Sequence, residues 1–85
     1  MQAIVKIANR QRGMFAARTE NGEFVIIELL CADEPNIGDI VSHSDFTSMG
    51  GQDYRNVTQQ ITISVYVQNL VGNEAMAKKQ CFLSP

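Results

Sequence analysis

Residues 61–68 alternate strictly between apolar and polar side chains, and this pattern limits the possible folds more than any other feature of the chain. The apolar members are all β-branched: Ile61, Ile63, Val65 and Val67. A period of two gives a strand one apolar and one polar face, whereas a helix repeats every 3.6 residues. β-Branched side chains also favour strands over helices. The chain is therefore expected to build a β-sheet.

Three earlier segments, residues 3–8, 14–20 and 23–30, are also predicted to be strands. Asn21 and Gly22 separate the second segment from the third, and this pair favours a two-residue type I′ hairpin with positive φ at both positions. The third segment is almost continuously apolar, which predicts a central strand covered on both faces. Glu28 interrupts it and is expected to face outward or to pair with a basic residue on a neighbouring strand, because a buried unpaired carboxylate is costly.

The middle of the chain is more polar. Residues 37–43 are predicted as a short fourth strand after a loop that contains Pro35, which cannot donate a ladder hydrogen bond. Residues 44–59 are rich in Gly, Ser, Asp and Asn and are predicted to be mostly loop, with Gly50 and Gly51 at its tip.

After Gly72 the pattern no longer indicates a strand. Asn73 suits the N-cap of a short helix with Glu74 in its first turn and Lys78 and Lys79 in its last, which matches the helix dipole. An extended tail fits the same residues. The final residues are expected to be disordered.

A chain of 85 residues has room for one domain and one modest core. Its predicted order is three strands in a meander, a short strand, a long loop, a long strand and a tail. This order predicts an all-β fold, a five-stranded Greek-key OB-like barrel over residues 1–72 with a C-terminal tail or short helix over residues 73–85. An SH3-like barrel is the alternative.

Residues 5–13 resemble the opening of a cold-shock domain, and shorter similar segments follow at residues 24–25, 38–41 and 55–57. The matching positions in the first segment are Val5, Lys6, Asn9, Arg12 and Gly13. The resemblance implies an OB barrel and binding of single-stranded nucleic acid. That family stacks bases on exposed aromatic rings. Its aromatic positions and its strand-three histidine are here Ile7, Ala8, Met14, Ala16 and Ile26, so the resemblance implies the fold more than the binding face.

The chain has a net charge of −2, but its basic residues are concentrated near the N-terminus. A local basic face could neutralise phosphates, and an aromatic ring among the cations could stack on a base. The predicted nucleic-acid-binding residues are Lys6, Arg10, Arg12, Phe15, Arg18, Tyr54 and Arg55. The structural alternatives are that Phe15 fills the barrel, that the arginines only solvate one side, and that Tyr54 pins the loop to the barrel.

No catalytic or metal-binding pattern is recognisable. His43 has Ser42, Ser44 and Asp45 beside it, but adjacent residues on a strand point to opposite faces, so a Ser–His–Asp triad is not expected. A single histidine, without closely spaced cysteines, predicts no zinc site. The chain is therefore predicted not to be an enzyme and to need no cofactor or metal.

Cys31 and Cys81 lie far apart in sequence and are predicted to remain thiols in a reducing compartment. The N-terminus carries Lys6 inside an alternating pattern, unlike a signal peptide. The longest apolar run, residues 24–30, falls far short of the roughly 20 residues that a membrane-spanning helix needs. A cytoplasmic location and no membrane partner are expected.

Two functional hypotheses follow. The first is a small non-enzymatic module that binds single-stranded DNA or RNA through its basic face. The second is a protein-interaction or homo-oligomeric assembly module, suggested by the acidic balance, the missing aromatic platform and an apolar C-terminal end with Met76, Cys81, Phe82 and Leu83. A group of acidic residues is expected to form a solvated surface: Asp33, Glu34, Asp39, Asp45 and Asp53.

Overall fold

The computed structural model describes residues 1–82, which form six β-strands and one α-helix. The elements are β1 (Gln2–Asn9), β2 (Met14–Thr19), β3 (Phe24–Leu29), β4 (Ile40–Ser42), β5 (Gly50–Asn56), β6 (Ile61–Val71) and α1 (Glu74–Phe82). The strands predicted from alternation and apolar runs are confirmed, with small shifts at their ends. The predicted disorder of the final residues, and Leu83 itself, lie outside the described residues.

The strands close into a barrel in the order β1-β2-β3-β6-β5-β4, and β4 completes the circle by pairing with β1. Every neighbouring pair is antiparallel. The predicted small antiparallel barrel is confirmed and is compatible with an OB-like barrel, although it has six strands rather than five. Each strand therefore has a neighbouring strand on both sides, although β4 pairs with only part of β1 and of β5.

The additional strand is β5, in a region predicted to be mostly loop. Gly50, Gly51 and Asp53 are poor strand formers, so local propensity indicates a turn. Pairing with β6 over the whole of β5, and with β4 at its end, overrides that propensity. The prediction of a Gly50–Gly51 loop tip was therefore wrong.

The barrel interior is filled by the inward-facing side chains of all six strands, together with Phe46 from the loop before β5. The alternation predicted for β6 is confirmed, because Ile63, Val65 and Val67 are buried while the polar residues between them are exposed. The buried core residues are Ala3, Val5, Phe15, Ala17, Val25, Ile27, Val41, Phe46, Tyr54, Ile63, Val65 and Val67.

A second apolar cluster lies outside the barrel, between the sheet and α1. It consists of Ile7, Met14, Ala16, Phe24, Ile26, Val71, Ala77 and Cys81. The strand pairing shifts at Lys6 on β1, between Val5 and Ile7, and again at Gln68 on β6, which has no partner on β3. Each irregularity inserts one residue, which reverses the side of the sheet that the following residues face. Val5 and Val67 therefore point into the barrel, whereas Ile7 and Val71 point toward α1. The prediction that the third strand is covered on both faces is confirmed.

Helix α1 begins where the sequence predicts. The Asn73 side-chain oxygen accepts a hydrogen bond from the Met76 amide at 2.9 Å, which is the N-cap interaction. At the other end, the Cys81 carbonyl accepts hydrogen bonds from Asn9 at 2.9 Å and Arg12 at 3.1 Å. Burial of Cys81 raises the pKa of its thiol to about 11, against the opposing effect of Arg12. Cys31 and Cys81 are both free thiols, as predicted.

The hairpin between β2 and β3 differs from the predicted type I′ turn. The Gly22 amide donates to the Thr19 carbonyl at 2.9 Å, and the Thr19 amide donates to the Glu23 carbonyl at 2.7 Å. Gly22 has a φ of 84°, whereas Asn21 does not have positive φ. These bonds define a three-residue loop in which a type I turn is followed by a left-handed glycine.

Strand β4 is shorter than predicted because a turn precedes it. The Asp39 amide donates to the Asn36 carbonyl at 3.0 Å, and Gly38 has a φ of 95°. Asp39, expected on the solvated surface, is instead buried, and its Oδ2 accepts hydrogen bonds from the Asn36 amide and from the Asn56 and Gln59 side chains. This carboxylate ties the loop before β4 to the β5–β6 hairpin.

Replacing Gln60 with glycine is expected to stabilise the fold. Gln60 has a φ of 59° in the β5–β6 turn, a region that costs a residue with a Cβ atom about 1–2 kcal/mol. Glycine avoids this strain but loses more entropy on folding, so the expected net gain for Gln60→Gly is about 0.5–1 kcal/mol. Urea unfolding measures it. Gln60→Ala removes the same side chain and keeps the strain, so an equal gain in that variant would contradict the explanation.

Candidate functional site

A cleft on the outer surface of β4, β1 and β2 brings two of the predicted basic residues together. Its volume is about 220 Å³. The residues that line it are Gln2, Ala3, Ile4, Lys6, Arg18, Thr19, Glu20 and Ile40. We call this surface the Lys6–Arg18 cleft.

Strand pairing explains why these side chains meet. Ile4 lies directly opposite Arg18 on β2 and opposite Ile40 on β4. Lys6 is the residue inserted at the pairing shift between Val5 and Ile7, and it lines the same cleft as Ile4 and Arg18. Both cations are exposed, as the sequence predicts for charged residues between apolar neighbours. The cleft therefore combines two cations with two isoleucines.

Of the other polar side chains at the cleft, Glu20 forms a hydrogen bond and Thr19 does not. The Glu20 carboxylate accepts a hydrogen bond from the Gln2 backbone amide at 2.9 Å. Thr19 is buried, and its Oγ1 has no hydrogen-bond partner in the described chain. One carboxylate offsets part of the charge of Lys6 and Arg18, so the cleft keeps a net positive charge.

Two other predicted cations have partners within the chain. Arg10 donates to the Asn36 side-chain oxygen at 2.9 Å and lies 3.8 Å from the Glu34 carboxylate. Arg12 donates to the Cys81 carbonyl at the C-terminus of α1, where a cation is favourable to the helix dipole. These contacts connect the β1–β2 loop to the loop before β4 and to the helix.

The two predicted aromatic residues do not reach the surface. Phe15 and Tyr54 are both 0% exposed and belong to the barrel core. The interpretation of Phe15 and Tyr54 as base-stacking residues was therefore wrong, and the structural alternatives are the observed ones. Phe15 pairs with Ile27 on β3, and both side chains point inward.

Tyr54 fixes the loop before β5 by aromatic packing. Its ring lies 5.4 Å from the Phe46 ring in an edge-to-face arrangement and 5.0 Å from the His43 ring. Its hydroxyl is buried without a hydrogen-bond partner in the described chain. Burial, together with the nearby negative charge of Asp45, raises the pKa of Tyr54 above its ordinary value. His43 accepts a hydrogen bond from the Asp45 amide through Nδ1 at 2.9 Å.

Arg55 is exposed but does not line the cleft. It is on β5, which is three positions from β2 in a closed circle of six strands. Arg55 pairs with Ser42 on β4, and Ser42 pairs in turn with Gln2, so Arg55 lies near one edge of the cleft although it is three strands from Arg18. Of the predicted basic residues, Lys6 and Arg18 line this cleft, and the wider basic face stays a prediction.

Helix α1 covers the sheet surface that OB-type barrels use for ligands. In that fold the outer face of the second and third strands carries much of the binding surface. Here the outward side chains at that position, including Ala16, Phe24 and Ile26, are buried against Ala77 and Cys81. The Lys6–Arg18 cleft lies instead on β1, β2 and β4.

Ile4 and Ile40 were missed as site residues by sequence reasoning. Ile4 is 40% exposed, which alternation with buried Ala3 and Val5 does indicate. Its position opposite Ile40, however, depends on pairing between strands that are distant in sequence. No pattern in the sequence around Ile4 or Ile40 indicates that these two strands pair.

Comparisons with known proteins add no relative. No protein-family model matches the chain, and neither the curated proteins nor the solved structures contain a significant match. The resemblance to cold-shock domains therefore has no support from a family match. Within residues 1–82, no group of three or more His, Cys, Asp or Glu residues is arranged to hold a metal ion. The same residues contain no helix with the length and apolarity needed to cross a membrane.

Proposed function

We propose that this chain is a non-enzymatic protein-interaction module that recognises an acidic and apolar surface of a partner through the Lys6–Arg18 cleft. The observation that carries the proposal is the shared location of Lys6, Arg18, Ile4 and Ile40 on one open surface. Cations beside the exposed Ile4 and the half-buried Ile40 suit a partner that offers carboxylates beside apolar side chains.

Several observations favour a protein partner over single-stranded nucleic acid. Single-strand binders combine a cationic groove with exposed aromatic rings, and here Phe15 and Tyr54 are in the core. Arg10 and Arg12 have partners within the chain, and Arg55 does not line the cleft. Two cations in a short cleft suit one or two carboxylates better than a long phosphate backbone. Binding of single-stranded DNA or RNA remains the alternative, and the experiment below separates the two.

The experiment measures binding of two labelled probes by fluorescence anisotropy at low salt. One probe is a synthetic peptide that alternates glutamate and leucine, and the other is a mixed-sequence single-stranded oligonucleotide. We expect the peptide to bind more tightly. The Arg18→Glu variant is expected to weaken peptide binding at least about tenfold, which corresponds to about 1.4 kcal/mol.

Arg55→Glu is the matched control, because it makes the same change of charge on an exposed strand residue that does not line the cleft and is three strands from Arg18. It should leave peptide binding nearly unchanged. An equal loss in both variants would indicate a nonspecific effect of net charge and would contradict the proposed site. Tighter oligonucleotide binding that is lost in Arg18→Glu would assign the cleft to nucleic acid.

The predictions that the chain is not an enzyme and that it is cytoplasmic stay predictions. The proposed interaction requires neither a cofactor nor a metal, since it depends only on charge and apolar contact. It is compatible with the free thiols of Cys31 and Cys81.

A further inference from the structure

The side of the barrel opposite the Lys6–Arg18 cleft exposes a tyrosine between two carboxylates. Tyr66 lies in the middle of β6 and is 46% exposed. Its cross-strand neighbours are Glu28 on β3 and Gly51 on β5. Gly51 has no side chain to cover the ring, so the strand surface beside Tyr66 is open.

Glu28 and Asp53 give this surface its charge. Glu28 faces outward, which was one of the two orientations predicted for it. Its carboxylate accepts a hydrogen bond from the Gln68 side chain at 3.0 Å. Asp53 is exposed and accepts a hydrogen bond from Ser64 at 3.4 Å. Within residues 1–82, neither carboxylate forms an ion pair. Both carboxylates therefore remain available to cations of a partner.

Leu30 adds a second apolar group to the same side. It is 57% exposed, and its amide donates to the Ser64 carbonyl at 2.9 Å, which places it beside β6. Arg55 follows two residues after Asp53 on β5 and marks the border of the acidic surface. We call the surface formed by Glu28, Leu30, Asp53 and Tyr66 the Tyr66 face.

The Lys6–Arg18 cleft and the Tyr66 face are complementary. Each has two charged side chains of one sign beside two exposed or half-exposed apolar side chains. In the closed strand order, β6 is three positions from β1, so the two surfaces point in opposite directions. They cannot meet within one molecule. They can meet between two copies.

We propose that the partner of the Lys6–Arg18 cleft is the Tyr66 face of a second copy of this chain. This inference depends on the proposed function, because it identifies the occupant of the same cleft. Arg18 and Lys6 would contact Glu28 and Asp53 of the second copy, while Ile4 and Ile40 pack against its Tyr66 and Leu30. Because two different surfaces take part, each added copy leaves one cleft and one Tyr66 face open, and the contact continues head to tail.

The test uses two charge-reversed variants of the whole chain. Arg18→Glu disables the cleft and leaves the Tyr66 face intact. The double variant Glu28→Lys, Asp53→Lys disables the Tyr66 face and leaves the cleft intact. Light scattering coupled to size-exclusion chromatography measures the mass of each protein, and far-UV circular dichroism checks that each variant keeps its β-sheet spectrum.

The native chain is expected to gain mass with increasing concentration and to lose that gain at high salt, because the contact includes charge pairs. Each variant alone should stay monomeric. Their equimolar mixture should associate, since each pair of molecules keeps one intact cleft and one intact Tyr66 face.

Three results would overturn the inference: a native chain that stays monomeric, a variant that dimerises alone, or a mixture that stays monomeric. If the native chain stays monomeric while the acidic peptide still binds the cleft, the second copy is excluded and the proposed function stands. If the peptide also fails to bind, both proposals fall.

Discussion

Phe15→Ala is expected to destabilise the fold by about 3–5 kcal/mol and to lower the melting temperature by more than about 12 °C. Phe15 is fully buried, and its removal leaves a cavity lined by core residues from several strands. Small domains are stable by only about 5–15 kcal/mol, so this change removes a large part of the total. Thermal or urea unfolding followed by circular dichroism measures the loss.

Phe82→Ala is the matched control for this substitution. Phe82 is 53% exposed at the end of α1, so the same truncation should change stability by no more than about 0.5 kcal/mol. A stable Phe15→Ala variant would show that Phe15 does not fill the core.

Phe15 also shows why burial was difficult to predict in this part of the sequence. Residues 14–17 are all buried because the inner face of β2 contacts the barrel core and its outer face contacts α1. The period of two disappears when both faces of a strand are covered. The sequence Met-Phe-Ala-Ala therefore does not indicate which side chains point inward. In β6, polar residues mark the outer face, and the same reasoning succeeds.

The elements that sequence reasoning predicted correctly have strong local signals. Alternation defines β6, and the Asn73 cap with Glu74 behind it defines the start of α1. Strand β5 has no such signal, because its glycines form a strand only through pairing with β6 and β4. Local patterns thus predict the strands that carry their own apolar face, and tertiary pairing determines the remaining one.

The candidate site divides in the same way. The outward direction of Lys6 and Arg18 follows from their own strands and could be predicted. The partners of Arg10 and Arg12 could not, since Asn36 and the Cys81 carbonyl are distant in sequence. Of the residues in the basic cluster, Lys6 and Arg18 line one cleft. Arg10 and Arg12 instead connect separate elements of the fold.

Asp39→Ala is expected to cost about 2–3 kcal/mol, because it removes a carboxylate that accepts three hydrogen bonds. The largest part should come from Asn56, which is completely buried and would lose an acceptor for its side-chain amide. The Gln59 side chain and the Asn36 backbone amide can form hydrogen bonds with water instead. Urea unfolding of Asp39→Ala, Asn56→Ala and the double variant measures the coupling, and purely additive losses would contradict a direct interaction.

The same carboxylate makes stability depend on pH. Burial by itself raises the pKa of Asp39, but the hydrogen bonds from Asn56, Asn36 and Gln59 outweigh it and hold the pKa below the ordinary value of 3.8. A carboxylate with a lowered folded-state pKa stabilises the fold above its unfolded pKa and loses that contribution as the pH falls through the folded-state pKa. Asp39→Asn should therefore lose stability relative to the native chain at neutral pH, and the difference should shrink as the pH falls below about 4. A difference that stays constant over this range would show that the charge of Asp39 does not stabilise the barrel.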